Sequence, residues 1–184
     1  RQQRTGAGVM GLLACLLLFI GMCVNQLASD SALGYTVHCG WASVHGSLYD
    51  EAFGGSVSYG DLCSGTYGSS GSWSWDTQPS WCGTQAAAAI SLVLMLASFI
   101  VDACATYFVQ PWKEVTPFCC RSNKPARTNF GVSIFLSLIS IIAWTAGDDN
   151  CLSSLSTASL GGSHICQIIA MIFNFIALIL GREY

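Results

Sequence analysis

The sequence predicts an all-α membrane protein: a bundle of four transmembrane helices, with a small antiparallel β-sheet in the first extramembrane loop. Three observations predict it. Hydrophobic residues make up 52% of the 184 residues and charged residues only 9%, where soluble domains carry about a quarter charged residues. A chain this short has too little interior to keep so many apolar side chains from water, so the remaining solvent is lipid. The charges are also spaced far apart. None lies between Arg4 and Asp30, between Arg127 and Asp148, or between Asp149 and Arg182, and Asp102 alone interrupts the stretch from Asp76 to Lys113.

Each gap is long enough for the ~20 apolar residues that cross a hydrocarbon layer. This places helices near 7–28, 85–110, 129–147 and 163–181, the third being the least secure at its ends, within one tetraspan domain over 1–184. A lone segment in lipid satisfies its own amides and carbonyls only as a helix, and barrel strands would alternate in polarity, which these segments do not. The chain opens on Arg1 rather than Met, consistent with removal of an N-terminal piece. The first apolar stretch exceeds the usual core of a signal peptide and reads as a retained helix, with an earlier transit peptide left open.

Orientation follows from the basic residues. Arg1 and Arg4 precede the first helix, Lys113, Arg121, Lys124 and Arg127 lie in the inner loop 111–128, and Arg182 follows the fourth helix. The outer loops, 29–84 and 148–162, hold only acids: Asp30, Asp50, Glu51, Asp61, Asp76, Asp148 and Asp149. Excess Lys and Arg marks the cytoplasmic side, so both termini are expected there, or on the stromal or matrix side of an organelle.

The first outer loop is rich in Gly and Ser yet also carries Trp41, Trp73, Trp75 and Trp81 with several Tyr and Phe residues. Disordered segments are poor in aromatics. In Ser72-Trp73-Ser74-Trp75 a strand would point both indoles the same way. Gly54-Gly55 and Gly68-Ser69-Ser70-Gly71 read as turns between short strands. A small antiparallel sheet is expected, with Trp41, Trp73 and Trp75 as contact candidates, and with Trp81 and Trp112 at the membrane interface.

There are ten cysteines. Cys15, Cys23 and Cys104 fall within helices and read as small apolar packing residues. Cys119 and Cys120 sit beside basic residues in the inner loop, where S-palmitoylation and plain reduced thiols are the two readings. Cys39, Cys63, Cys82 and Cys151 face the oxidising side, with Cys166 at the mouth of the fourth helix. Disulfides are favoured there, but sequence does not choose among the pairings. Cys63 with Cys82 would staple the strand pair, Cys151 with Cys166 would close the second loop, and Cys39 could reach Cys151. No Cys-x-x-Cys spacing supports zinc.

The order of helix, long Trp- and Cys-bearing loop, helix, short basic turn, helix, shorter loop and helix resembles the claudin-like tetraspan superfamily, which includes claudins, peripheral myelin proteins and amastins. The best local match is Cys82 followed by GTQAAAAISLVLMLASFI. The resemblance implies that Trp41 corresponds to the family's first-loop Trp and that Cys63 and Cys82 form its loop disulfide. It implies a left-handed four-helix bundle with an outer sheet, used for lateral assembly. Ser58-Tyr59-Gly60-Asp61-Leu62-Cys63 stands where the family has Gly-Leu-Trp before its first cysteine, and the two cysteines are farther apart than in claudins.

Nothing in the sequence points to catalysis. It contains no His-Glu-x-x-His, phosphate-binding Gly-rich loop, Walker lysine or Gly-x-Ser-x-Gly, and no basic patch for nucleic acid. No cofactor or metal is expected; bound lipid is, with a pigment or haem on His164 only if the chain serves an organellar complex. Asp102 breaks the lipid pattern. It should sit roughly 12–15 Å into the membrane, facing the bundle interior or protonated, and bonded to Asn174, Ser137 or Ser140. Its structural reading is interhelical glue; its functional reading is an ion or proton relay. Ala7, Gly11 and Cys15 are spaced for close helix approach. The expected role is a non-enzymatic assembly or accessory subunit in the plasma membrane or an organellar membrane (thylakoid or mitochondrial inner membrane), with partners among membrane proteins or copies of itself. A subunit of a photosynthetic or respiratory complex and a small transporter or channel centred on Asp102 are the alternatives.

Overall fold

The structure, a computed structural model, describes residues 2–32, 35–47, 55–64, 80–109, 124–148, 151 and 159–181. Four helices dominate: α1 (Gln2–Cys23), α3 (Ser80–Val109), α4 (Lys124–Gly147) and α5 (Gly162–Leu180). Each is long and apolar enough to cross a membrane, over Thr5–Cys23, Trp81–Tyr107, Ala126–Gly147 and Gly162–Leu180. Five short strands, β1 (Ala28–Ala32), β2 (Tyr35–Cys39), β3 (Ser43–His45), β4 (Val57–Ser58) and β5 (Ser159–Leu160), form one antiparallel sheet in the order β4-β3-β2-β1-β5. A single helical turn and a half, α2 (Tyr59–Ser64), follows β4.

The helices start five residues before the expected bounds at Gln2, Ser80 and Lys124, and α1 stops short at its other end. α3 begins at Ser80 and α4 at Lys124, where Pro125 suits a first helical turn. The third membrane helix, with 24 residues, is therefore longer than α5 with 19. Charged and polar residues at these starts continue the helix, because a helix need not end where the hydrocarbon does. At the other extreme α1 stops at Cys23, five residues before the expected end. Asn25 and Gln26 draw the backbone out of the helix. The Val24 carbonyl accepts from Gln26 N at 2.8 Å and from the Ser163 hydroxyl, and Asn25 Oδ1 accepts from Trp41 N at 2.7 Å. Leu27 N then donates to the Cys39 carbonyl at 2.6 Å and opens β1.

Each membrane helix buries one narrow seam that repeats by four and three residues. In α1 it is Ala7, Gly11, Ala14, Leu18 and Gly21; in α3 it is Thr84, Ala88, Ser91, Met95, Ser98, Asp102, Ala105 and Val109. In α4 it is Ala126, Phe130, Ser133, Ser137, Ser140 and Trp144; in α5 it is Ser163, Gln167, Ala170, Asn174 and Ala177. A 3.5-residue repeat is the seam of knobs-into-holes packing. The seams are mostly small or polar, with Leu18, Met95, Val109, Phe130 and Trp144 as the larger members, whereas the opposite faces carry Val93, Leu96, Ile100, Phe135, Ile142, Ile172 and Phe175 exposed. A water-soluble bundle has the reverse arrangement, so the exposed faces fit lipid, with small residues letting backbones approach.

The chain divides into two compact units. Residues 1–23, 94–139 and 165–184 make the first; Ala7, Ala105, Val109, Ala126, Phe130 and Ala177 form its apolar cluster. Gly11 sits at its tightest approach. A Cβ there would lie 2.5 Å from Thr106 Oγ1 and 2.9 Å from the Phe130 ring. Gly11→Leu is expected to cost about 1–3 kcal/mol through overpacking, read as a lower resistance to denaturing detergent, while Leu12→Ala on the exposed face should leave that resistance nearly unchanged.

Residues 24–93 and 140–164 make the second unit. Its core joins Leu27, Ala28, Cys39, Val44, Val57 and Tyr59 of the loop to Ala87, Ala88, Trp144 and Cys151. Among the described residues the sheet lies at 28–32, 35–39, 43–45, 57–58 and 159–160. The alternation in Tyr35-Thr36-Val37-His38-Cys39 carries β2, which pairs residue for residue with β1 from Ala28↔Cys39 to Ala32↔Tyr35. β5 adds the second loop to the same sheet through Ala28↔Leu160 and Ser29↔Ser159.

Candidate functional site

Two constellations stand out, one in each unit. In the sheet-bearing unit, Cys39 is bonded to Cys151 and Cys63 to Cys82, with Cα–Cα distances of 6.3 and 4.9 Å. The first bond ties β2 to the segment after α4, across 112 residues; the second ties α2 to the first turns of α3. Cys63–Cys82 therefore joins two helices and not a strand pair. Cys166 is a free thiol on α5, so it does not close the second loop.

Around these bonds the polar groups are spent on one another. Asp148, just past α4, is buried; its Oδ1 accepts from Thr84 Oγ1 at 3.2 Å and from Cys151 N at 2.9 Å. One carboxylate thus links α3, the end of α4 and the disulfide. Asp148→Ala should destabilise this unit by about 1–3 kcal/mol, the cost of leaving buried donors unpaired. Asp148→Asn keeps an acceptor and should lose less, with thermal unfolding ranking the two. His164, in the first turn of α5, is fully buried: its Nδ1 lies 3.0 Å from the Leu27 carbonyl, and its ring stacks on Trp144 at 6.3 Å. That hydrogen bond fixes the ring as a tie between α5 and β1.

Trp41 packs half-buried against the same core, with its backbone N held by Asn25, and Tyr59 donates its hydroxyl to the Gly40 carbonyl at 3.0 Å. Trp81 stacks on Tyr59 at 6.1 Å, which places it in the core's margin. His38 and His45 face each other across β2 and β3 at 5.4 Å, with Gln26 Nε2 donating to His38 Nδ1 at 2.9 Å. Trp73, Trp75, Trp112, Cys119 and Cys120 lie outside the described residues.

The second constellation is intramembrane. Ser98 Oγ meets Ser133 Oγ at 2.9 Å and Ser137 Oγ at 2.8 Å, joining α3 to α4. Asn174 Nδ2 donates to Ser133 Oγ at 3.0 Å and Gln167 Nε2 to the Ser137 carbonyl at 3.3 Å, bringing in α5. Farther along α3, in the sheet-bearing unit, Ser91 pairs with Ser140 at 2.9 Å. Asp102 occupies the same seam one turn after Ser98 and is fully buried. Ser137 and Ser140, two of the partners expected for it, are taken by α3 serines. Asn174, the third expected partner, and Cys15 stand beside the carboxylate as its hydrogen-bonding neighbours. Cys15 is buried as anticipated, but Cys23 and Cys104 lie on exposed helix faces.

No protein-family model matches the chain, and no curated protein matches it significantly in sequence. Among the described residues no three His, Cys, Asp or Glu side chains gather as a metal site. The serine ladder is the feature that charge spacing alone missed. Its signal was present: Ser91, Ser98, Asp102 and Thr106 on the second span and Ser133, Ser137 and Ser140 on the third recur at helical spacing inside apolar segments.

Proposed function

We propose that this chain is a non-enzymatic tetraspan acting as a structural or accessory subunit, meeting its partners laterally in the membrane and through its extramembrane sheet. The observation that carries this reading is the sheet-bearing unit. Cys39–Cys151, Cys63–Cys82, the Thr84–Asp148 bond and the His164–Leu27 bond tie its described loop segments to one another and to the helices. Such pre-ordering lowers the entropic cost of docking and suits recognition. Two disulfides favour an oxidising compartment for this unit, and the basic residues favour the opposite side for both termini.

A claudin-type relationship is supported by an extramembrane sheet and a first-loop disulfide on a tetraspan frame, while Cys39–Cys151 lies beyond what that resemblance implies. Lipid is the proposed occupant of the exposed apolar faces. No cofactor is proposed, and no nucleic-acid partner. A place in an organellar photosynthetic or respiratory complex, the one setting in which a pigment would enter, is the next reading. The buried Asp102 favours, as a third, an ion-handling role.

Native mass spectrometry of a mild-detergent extract tests the proposal. The chain is expected to travel with copies of itself or with other membrane proteins at fixed stoichiometry. A lone monomer that neither cross-links nor co-purifies in the intact membrane would contradict it.

A further inference from the structure

The fold brings two of the three histidines together. His38 on β2 and His45 on β3 are register partners, and their ring centroids lie 5.4 Å apart at 42°. Their strand neighbours Cys39 and Val44 are buried in the core. Alternation therefore turns both imidazoles to the other face of the sheet, where each is half-buried and within reach of solutes. Both backbones are held in place. Cys39, next to His38, is bonded to Cys151, and Gly46, next to His45, lies tight against the Thr36 carbonyl of β2. Gln26 Nε2, 2.9 Å from His38 Nδ1, sets that ring through one of its two nitrogens.

We infer that His38 and His45 form a two-imidazole site for a divalent transition-metal ion of the zinc class, clipping β2 to β3. Imidazole nitrogen suits zinc, copper and nickel, whereas magnesium and calcium take oxygen. Two imidazoles that ligate one ion at about 2.0–2.1 Å, with a tetrahedral angle between them, stand about 5 Å apart between centroids. The observed 5.4 Å meets that spacing, so the strands need not move. A ligating histidine is oriented by a partner on its far nitrogen, and Gln26 is that partner for His38. When Nε2 of His38 takes the ion, its proton passes to Nδ1, and the Gln26 amide turns over so that Oε1 accepts it. The chain supplies two ligands and water the others, so the ion braces strands already folded instead of building a closed four-ligand centre. The site needs the sheet alone and not the assembly role proposed above, so either can fail without the other.

The test is zinc titration of the full chain in phosphatidylcholine nanodiscs, with free thiols alkylated so that they do not compete. Calorimetry reads the binding, and backbone amide exchange reads its place. Zinc is expected to bind in the micromolar range and to slow exchange in β2 and β3, because an ion held by the folded sheet alone stabilises it. His38→Gln and His45→Gln should each raise the dissociation constant by about tenfold or more, since each leaves a single imidazole. His45→Asp returns a zinc-binding oxygen and should recover part of the loss, which separates lost ligation from a disturbed sheet. A chain that takes up no zinc, or zinc binding that both glutamine replacements leave unchanged, would overturn the inference. Zinc that binds without slowing exchange in β2 and β3 would overturn it equally.

Discussion

Replacing Cys39 and Cys151 together with serine is expected to be the most damaging change in the sheet-bearing unit. The bond closes a loop of 112 residues, against 19 for Cys63–Cys82. In the chain-entropy account the longer loop is worth about 4–5 kcal/mol and the shorter about 3. The membrane helices themselves should survive, since lipid enforces their backbone pairing whatever happens outside. The loss therefore falls on β1, β2 and β5, where Cys39 is packed with Leu27, Val44 and Trp144. The double replacement should open the 24–47 stretch to protease while leaving the helical content intact. Replacing Cys63 and Cys82 should have a smaller effect of the same kind. Replacing both cysteines of a pair leaves no orphaned partner thiol from that bond.

The second large effect is expected at Gly46. Its φ is +134°, a conformation that side-chain-bearing residues rarely adopt, and a Cβ added there would run into the Thr36 carbonyl and press on Val37 Cα. These are backbone atoms of β2 and cannot move aside without breaking its pairing with β3. Gly46→Ala combines an unfavourable φ with a steric clash, and is expected to cost about 2–4 kcal/mol. The neighbouring lock should fail with it: Ser47 Oγ accepts from Thr36 N at 2.8 Å. Amide exchange should accelerate at Thr36 and His38 first, and the rings of His38 and His45, now 5.4 Å apart, should separate.

The membrane architecture was legible because the cost of a charge in hydrocarbon is large and local. Gaps between charged residues located all four helices, and Asp102 was recognised as the exception. Helix ends were less legible. Asn25 and Gln26 carry no charge, yet their side chains and neighbouring carbonyls bond to Trp41, His38 and Ser163, contacts that exist only once the sheet has formed. The same holds for Cys39–Cys151: its partners meet because β1 pairs with both β2 and β5, a non-local fact that spacing between cysteines does not encode. Two of the partners expected for Asp102 failed for a different reason: Ser137 and Ser140 bond to Ser98 and Ser91 across α3 and α4, and the carboxylate lies five residues, about 8 Å, from the end of its span rather than roughly 12–15 Å.

The helices bury seams that are mostly small or polar and turn large apolar faces outward to lipid. Spin labels placed singly at 91, 93, 96, 98 and 100 of α3, in liposomes, measure this directly through collisions with oxygen and with a water-soluble nickel chelate. Labels at 93, 96 and 100, whose native side chains are 65%, 46% and 54% exposed, should collide with oxygen and be shielded from nickel, while those at 91 and 98 should be shielded from both. Strong nickel collisions at 93, 96 and 100 would mean that water, not lipid, bathes this face, and would contradict the four-span structure.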